Sequence, residues 1–417
     1  MAAPRWVRET GWLAAGVVVA FLLAAVALGT FTRTEWGRKR ILDYTLERLG
    51  AGIQGELRVR RLNGNLLTGA KLYGVALRSR DGEPFVVADS AYLNYDVRTL
   101  TTPRIHIDLL VLYDPEIYVR RMPGDTLWNY QKIFADTTGR RGPERITLVD
   151  RIRVVNGFVR VQLPWEPDRR LTPREKQAET RYVLSDSSQL VVKRVPGGIL
   201  QTVELSGLRG GISRVRFSPG TEMGTFAAID SLSGRVRYFK TPFDVRGVTG
   251  AVAVLRDRTE FRSPRLVLNT TPLSAQGVIR PPKTREGFTM YDVSFRSDSV
   301  RLGDFRWLYR RFPKDATGAL SLLVETRPDG GTLFLARGMR LRAPGTRLSG
   351  SFGMVTGDTL RFLDVDLRAA PLRVRTVEEM LPEGLPVRGL RVGEVEIRGA
   401  PAREPPSGGV DTGASGT

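Results

Sequence analysis

Apolar residues alternate with polar or charged residues in short runs from position 55 to position 134 of the chain. Leu57 and Val59, for example, lie on either side of an arginine. Side chains two positions apart lie on the same face of a strand, so this alternation predicts strands with one apolar face and one solvated face. Turn-forming pairs such as Asn63-Gly64 and Asp114-Pro115 separate the runs and predict tight connections between the strands.

The same alternation continues almost to the end of the chain, with few interruptions. Asn156-Gly157 lies between two alternating runs, which predicts a hairpin at this pair. Residues 164–180 contain three prolines and many charges, which predicts a surface insertion with one turn of helix. Short helices are predicted at Leu127–Phe134, Asp304–Phe312 and Thr376–Leu381.

A loose repeat runs through these strands, because a glycine is followed within two residues by an apolar residue, as in Gly74-Val75 and Gly207-Leu208. We interpret each such glycine as the start of a strand. Repeated units that contact mainly their neighbours form an elongated body, and about twenty strands at ~4.8 Å each would make a ladder ~95 Å long. The predicted fold class is therefore mainly β: an N-terminal transmembrane helix, then an elongated, curled antiparallel β-sheet shaped as a groove or taco, with a few short helices.

The first hydrophobic feature is Trp12–Phe31, which contains no charged residue and is long enough to cross a bilayer as a helix. A retained anchor is favoured over a signal peptide cleaved near Ala25-Val26-Ala27, because the apolar run is longer than most signal-peptide cores. The predicted organisation is a tail and anchor at 1–33, an amphipathic helix at 34–52, a repetitive β-groove at 53–400 with the insertion at 164–180, and a disordered tail at 401–417.

Positive charge is the main compositional feature, with a net charge of +20 and an isoelectric point near 10.7. This balance favours anionic partners such as nucleic acid or an acidic membrane surface, and an arginine-rich genome composition is the competing explanation. Arg-x-Arg pairs recur, as at Arg58 and Arg60 or at Arg235 and Arg237, and each pair marks the solvated face of a strand. The absence of cysteine excludes disulfides, thiolate metal sites and a cysteine nucleophile.

Candidate catalytic residues are few. The single histidine, His106, lies on the same strand face as Asp108, and a lone histidine lacks the partners of a triad or metal site. Asp364 and Asp366 share a strand face but alternate with leucine and valine, so we interpret them as solvated strand residues. The sequence contains no glycine loop with a lysine that would hold a phosphate. We predict that the protein is not an enzyme and uses no catalytic residue, metal or cofactor.

Five stretches carry a resemblance to a known family: Gly55–Leu100, Arg104–Arg121, Leu127–Phe134, Leu232–Val252 and Leu360–Gly399. Together with the anchor and the amphipathic helix, they resemble the N-terminal part of the AsmA-like family, TamB branch. The resemblance implies a protein anchored in the inner membrane by a single pass, with its bulk in the periplasm. It further implies a β-groove that conducts phospholipid acyl chains in outer-membrane biogenesis, and a partner in outer-membrane barrel assembly.

A single sheet with a continuous apolar face must bury that face, and few helices are available to cover it. Either the sheet closes into a sandwich with a dry core, or it forms an open trough that meets lipid. A closed core would favour a structural factor for outer-membrane protein assembly, and nucleic-acid or anionic-surface binding is the less favoured third class. The candidate groove-lining residues are Leu57, Val59, Val75, Leu77, Leu93, Tyr95, Ile105, Ile107, Val236, Tyr238, Val252, Val254, Leu266 and Leu268.

Overall fold

The computed structural model describes residues 55–65, 69–95, 104–134, 146–167, 171–217, 224–282, 288–308, 310–356, 361–373 and 395–398. This part of the chain is mainly β, which confirms the coarser part of the predicted fold class. The predicted anchor at Trp12–Phe31, the amphipathic helix at 34–52, the helix at Thr376–Leu381 and the tail at 401–417 lie outside the described residues. The chain divides into two compact units, Met1–Pro242 and Phe243–Thr417.

The first unit contains nine described strands and two helices. The strands are β1 (Gly55–Asn65), β2 (Gly69–Ser79), β3 (Pro84–Tyr95), β4 (Arg104–Tyr113), β5 (Glu116–Arg120), β6 (Ile146–Trp165), β7 (Val192–Val195), β8 (Gly198–Phe217) and β9 (Thr225–Arg237). The helices are α1 (Asn129–Phe134) and α2 (Pro173–Val183).

The sheet of the first unit is mixed, so the prediction of a purely antiparallel sheet is wrong here. Strands β1 to β4 form an antiparallel meander, but β6 runs parallel to both β4 and β5. Parallel neighbours need a crossover connection of a dozen or more residues, and residues 121–145, which include α1, provide it. On its other side β6 pairs antiparallel with β8, which in turn pairs with β7 and β9.

The prediction of a hairpin at Asn156-Gly157 is also wrong, because β6 continues through this pair without reversing. Asn156 has the left-handed backbone conformation that an Asn-Gly hairpin turn needs, with φ of 56°, but in this protein it forms a bend inside a continuous strand. The neighbouring strands β4 and β5 break at Asp114-Pro115 beside this bend. The Nδ2 atom of Asn156 donates to Oδ1 of Asp114 at 2.6 Å, which joins the two bends.

Such mid-strand bends recur across the first unit. Four residues with positive φ values, between 47° and 60°, form these bends: Gly74, Asp114, Asn156 and Gly207. The last three lie side by side on neighbouring strands, and β3 separates Gly74 from Asp114. The interpretation of Gly74 and Gly207 as strand starts is therefore wrong, because β2 begins at Gly69 and β8 at Gly198. Glycine recurs at these positions because the left-handed region is open to it without steric cost. Bends of this kind turn the strand and increase its twist.

The second unit contains nine described strands and one 3₁₀-helix, at Leu302–Phe305. The strands are β10 (Phe243–Val254), β11 (Thr259–Leu268), β12 (Thr271–Arg280), β13 (Met290–Arg301), β14 (Thr317–Thr326), β15 (Thr332–Ala343), β16 (Thr346–Thr356), β17 (Arg361–Ala369) and β18 (Val395–Arg398). Each pairs antiparallel with the next in chain order. Mid-strand bends occur here too, with positive φ at Gly247, Gly338 and Asp364.

The helices of the described part are short and lie outside the strand pattern. Helix α1 falls within the predicted Leu127–Phe134 and is held by Asn129, whose Nδ2 donates to the Tyr118 carbonyl at 2.6 Å. Helix α2 extends beyond the single turn predicted for 164–180. Its N-terminus is a capping box in which Thr172 N donates to Glu175 Oε2 at 2.8 Å. The hydrogen bonds from Thr172, first from its side chain and then from its backbone, hold the pKa of Glu175 below its ordinary value.

Candidate functional site: an apolar sheet face

Rows of directly opposed residues define one face of the second unit, since opposed residues of antiparallel strands lie on the same face. The first row crosses eight strands: Val252, Phe261, Gly277, Val293, Val324, Phe334, Met354 and Phe362. The second row crosses six: Ser263, Ala275, Phe295, Leu322, Ala336 and Phe352. A third row lies beyond the bends: Val300, Gly318, Leu341, Leu348 and Ala369. These three rows, which we call the apolar face, contain no charged residue.

The charged residues of the same strands lie on the opposite side, which we call the polar face. It is defined by the residues that alternate with the three rows: Glu260, Arg262, Asp292, Arg296, Arg301, Glu325, Arg340, Arg342, Arg347, Arg361, Asp366 and Arg368. The polar face also carries one small buried cluster, in which Leu333, Leu335 and Val355 pack with Leu323 and Leu363. Charged residues thus lie on one face of these strands, and most of the large apolar residues lie on the other.

The apolar face keeps substantial access to solvent. Val254, Tyr291 and Phe362, near the strand ends of this face, are 49%, 42% and 57% exposed, whereas Val355 in the cluster on the polar face is 1% exposed. The phenylalanines of the two longer rows other than Phe362 are half-buried, and the smaller Val293 and Ala275 between them are buried. Phe243 is the sole aromatic residue among the described side chains that is buried. The inner face of a closed sandwich would bury its large side chains against a second sheet. The described part of the second unit therefore lacks such a covering layer over this face.

One margin of the apolar face is closed locally by the connection between β13 and β14. Val300, Leu302 and Ala316 are buried there, and Phe305, Phe312, Leu320 and Leu341 pack against them. The expected helix at Asp304–Phe312 is replaced by the 3₁₀-helix Leu302–Phe305. Asp304 ties this connection to the β11–β12 turn, because its Oδ2 accepts from Thr270 Oγ1 at 2.7 Å and from Thr271 Oγ1 at 2.8 Å. The ring of Trp307 stacks on Phe243 with centroids 4.2 Å apart.

Four of the candidate groove residues fall on the apolar face of the second unit. Val252 is opposed to Phe261, and Val254 lies two positions further on the same strand. Leu266 is opposed to Leu273, which alternates with Ala275 of the second row, and Leu268 follows Leu266 by two positions. The candidate set missed the bulkiest members of this face: Phe261, Phe295, Phe334, Phe352, Met354 and Phe362. Their alternation with polar neighbours was a usable signal, since it is the same period of two.

The first unit contains a comparable apolar row across seven strands. Its members are Leu57, Leu77, Val86, Ile117, Val159, Leu205 and Val236, each paired with the next. The structure thus links three candidates, Leu57, Leu77 and Val236, and opposes Val59 to Val75 beside them. Leu93 belongs to a different row beyond the bends, with Leu110, Ile152, Ile212 and Ile229.

The remaining candidates in the first unit are less well connected to these rows. Tyr95 is opposed to Ile107 across a register shift, and burial raises the pKa of the Tyr95 phenol. Tyr238 follows the end of β9, is 39% exposed and makes an edge-to-face contact with Phe239. Ile105 lies in β4, but its side chain is outside the described part.

His106 has a partner that the sequence did not predict. Its Nε2 lies 2.9 Å from Oδ1 of Asp150, which the parallel pairing of β4 with β6 brings alongside. The expectation that this histidine lacks partners is therefore wrong. His106, Asp108 and Asp150 each offer a ligand atom within 4.8 Å of the others, a donor set of imidazole and carboxylate that suits a divalent metal ion. No local pattern signals Asp150, which is separated from His106 by 44 positions.

The paired carboxylates at Asp364 and Asp366 do not form a unit in the structure. Asp364 occupies the bend of β17 with φ of 51° and lies 3.7 Å from the guanidinium of Arg337. Asp366 lies beyond this bend, opposed to Ser351 on the polar face. The bend thus separates two residues that regular alternation would place on one face.

Two described cavities are lined largely by residues of the polar face. One, of about 430 Å³, is lined by Asp298, Ser299, Arg301, Thr317, Gly318, Ala319, Arg340 and Arg342. The other, of about 380 Å³, is lined by polar-face residues that include Arg262, Gln276 and Arg296, and also by three members of the second apolar row: Ser263, Ala275 and Phe295. The Arg-x-Arg pair at Arg340 and Arg342 therefore points away from the apolar face, in the manner that the sequence analysis predicted for such pairs.

Among the described residues, no helix combines the length and the apolar character needed to cross a membrane. Comparison with known proteins adds no assignment: no protein-family model, no curated protein and no solved structure matches this chain.

Proposed function

We propose that the chain is an inner-membrane anchored, periplasmic protein that binds phospholipid acyl chains on its apolar sheet face and conducts them in outer-membrane biogenesis. The observation that carries the proposal is the apolar face of the second unit, which is uncharged along its three rows and which no second layer covers within the described part of the chain. The location and the outer-membrane barrel partner rest on the family resemblance, together with the apolar segment Trp12–Phe31.

The size of the apolar face suits acyl chains. Eight strands at ~4.8 Å spacing make the first row about 34 Å long from end to end. One leaflet of a bilayer contributes about 15 Å of hydrocarbon, so the row is long enough for two acyl chains placed end to end. Each methylene group removed from water contributes about 0.8 kcal/mol, so a whole chain would be held without any polar contact.

The lack of polar groups on the face also favours movement over tight binding. A hydrogen-bonding or charged group would hold a ligand at one position, whereas apolar contact is non-directional and changes little as a chain slides. In this proposal the mid-strand bends at Gly247, Gly338 and Asp364 curve the strands around the apolar face, so that the face becomes a trough. The trough would exclude water from the acyl chains along its length.

Site-specific photo-crosslinking in cells tests the proposal. A photoreactive phenylalanine analogue replaces Phe261 or Phe295 on the apolar face, where its ring is close in shape to the native side chain. The matched controls carry the same analogue at the next position, Arg262 or Arg296, on the polar face of the same strands. We expect phospholipid adducts by mass spectrometry at the phenylalanine positions and not at the arginine positions.

Two outcomes would contradict the proposal. Equal lipid labelling at both sets of positions would mean that the sheet has no lipid-specific side. A lack of lipid at all four positions would favour the second candidate function, a structural factor for outer-membrane protein assembly. The closed cluster around Val300 and Leu302 is the observation that favours this second function.

A further inference from the structure

The polar face of the second unit carries a concentration of arginines on β13 and β15, the two strands that flank β14. Arg301 on β13 and Arg340 and Arg342 on β15 line the cavity of about 430 Å³. Thr317 of β14 lies between Arg301 and Arg342, directly opposed to both. Asp298 is the single acidic residue in the lining. Its Oδ1 lies 3.5 Å from Nε of Arg296, which is not part of the lining.

These arginines have no ion-pair partner among the described residues. Arg301, Arg340 and Arg342 each make neither a salt bridge nor a side-chain hydrogen bond in the described part of the chain. Arg342 is moreover directly opposed to a fourth arginine, Arg347 on β16. Like charges directly opposite one another on a sheet are destabilising, so the sheet carries an unbalanced positive charge at this place.

Protection of a sheet edge does not explain this arrangement. Charged residues on edge strands prevent sheets from joining, but β15 is flanked on both sides, by β14 and by β16. Solubility is served equally well by dispersed charges of both signs. A cluster of unpaired arginines around a cavity on a central strand is instead the arrangement that recognises an anion.

We propose that the cleft formed by Arg301, Arg340 and Arg342 binds a phosphate-bearing anion. Guanidinium groups present paired N–H donors that match the oxygens of phosphate, and several such groups around one cavity hold more than one negative charge. The hydroxyl groups of Ser299 and Thr317 add neutral donors to the lining. The cavity volume falls in the range of small-ligand pockets, which suits a diphosphate or a phospholipid headgroup.

This site is independent of the proposed acyl-chain function because it lies on the opposite face of the same strands. The arginine side chains of the cleft lie on the polar face, and the cleft meets the three apolar rows only at Gly318, which has no side chain. Lipid capture at Phe261 or Phe295 therefore reports on the apolar face, and anion binding reports on the cleft. Either proposal can fail while the other stands.

Calorimetric titration of the full chain in nonionic detergent tests the inference. One arm uses inorganic pyrophosphate, and the other uses mixed micelles containing phosphatidylglycerol, with phosphatidylcholine micelles as the uncharged reference. The test variants are the double substitution Arg340→Gln with Arg342→Gln, and the single substitution Arg301→Gln. The matched control is Arg151→Gln with Arg153→Gln, an Arg-x-Arg pair on β6 that removes the same charge from another strand.

We expect binding in at least one arm, weakened about a hundredfold by the double substitution and about tenfold by Arg301→Gln, since each charge-assisted contact is worth about a tenfold change. The control should stay within about twofold of the wild-type affinity. Binding of pyrophosphate identifies a soluble phosphate as ligand, and binding of phosphatidylglycerol alone identifies a lipid headgroup; both support the cleft. Equal weakening in the control pair, wild-type affinity in the double variant, or no binding in either arm would overturn the inference.

Discussion

Two valines of the second unit offer a direct test of whether the apolar face is open. Val254 lies on the apolar face and is 49% exposed, whereas Val355 lies in the small cluster on the polar face and is 1% exposed. Replacement of valine by threonine keeps the shape and exchanges a methyl group for a hydroxyl group. The two substitutions therefore differ mainly in whether the new hydroxyl group can reach water.

The expected magnitudes follow from this difference in exposure. A hydroxyl group buried without a partner costs roughly 1–3 kcal/mol, so we expect Val355→Thr to lower the free energy of unfolding of the second unit by about 2 kcal/mol. Val254→Thr should change that free energy by less than about 0.5 kcal/mol, because its hydroxyl group remains hydrated. With a urea dependence of about 2 kcal/mol per molar, Val355→Thr should lower the unfolding midpoint by about 1 M.

Hydrogen exchange in increasing urea, measured by mass spectrometry on peptides from residues 243–373, assigns the unfolding to the second unit. The measurement uses the full chain, so that both variants are compared in the same molecule. A loss at Val254→Thr as large as that at Val355→Thr would refute the reasoning. It would mean that another layer covers the apolar face and that the sheet has a closed core.

Three further predictions concern local structure. Gly318→Ala should lower the free energy of unfolding of the second unit by about 2 kcal/mol or more, because the new Cβ would lie 1.8 Å from the Arg340 carbonyl oxygen. Gly338→Ala has open space around it and should cost only the strain of the left-handed backbone, about 1 kcal/mol. Urea unfolding of the two variants measures both costs, and equal costs would contradict the packing argument. Asp304→Ala should accelerate amide exchange at Thr270 and in the 302–316 connection, because it removes the acceptor of the Thr270 and Thr271 hydroxyl groups. Unchanged exchange would show that packing alone holds the connection. Because the pKa of Glu175 is lowered in the folded protein, the stabilisation of α2 by its carboxylate is complete above the ordinary pKa of 4.5 and is lost as the pH falls through the folded-state pKa. Amide protection in α2 should therefore decrease on acidification. Thr172→Ala removes the capping box and should remove this pH dependence.

The alternation of apolar and polar residues was sufficient to predict the strands and much of their sidedness. On β14, for instance, Leu320, Leu322 and Val324 are separated by single residues, and the structure places all three on one face. Such strands need only their own sequence, because the period of two is a property of the strand backbone. The mainly β class followed from this local information.

What the sequence could not predict depended on distant pairing. Asn156-Gly157 satisfies the local requirements of a hairpin, yet β6 stays extended because β4 pairs with it before this dipeptide and β5 pairs with it after. The contact of His106 with Asp150 likewise requires the parallel pairing of β4 with β6. Local propensity defines which backbone angles are accessible, and tertiary pairing decides whether the chain reverses or continues.

The polar-face cleft was missed for a related reason. The pair at Arg340 and Arg342 is visible in the sequence, but it resembles every other Arg-x-Arg pair along the chain. Its distinction comes from Arg301 on β13 and Arg347 on β16, which the strand pairing brings to the same place. The sequence shows arginines dispersed along the chain, and only the register of the strands shows which of them lie close together.

The aligned bends of the first unit have a consequence for the register of its strands. Alternation alone penalises a slip of one residue, which turns the apolar side chains to the wrong face, but it tolerates a slip of two. A strand displaced by two residues would carry Gly74, Asn156 or Gly207 away from the bends of its neighbours, so that a left-handed residue would lie against regular strand. The row of bends therefore favours the native register over a register shifted by two residues, which hydrophobic patterning alone does not exclude.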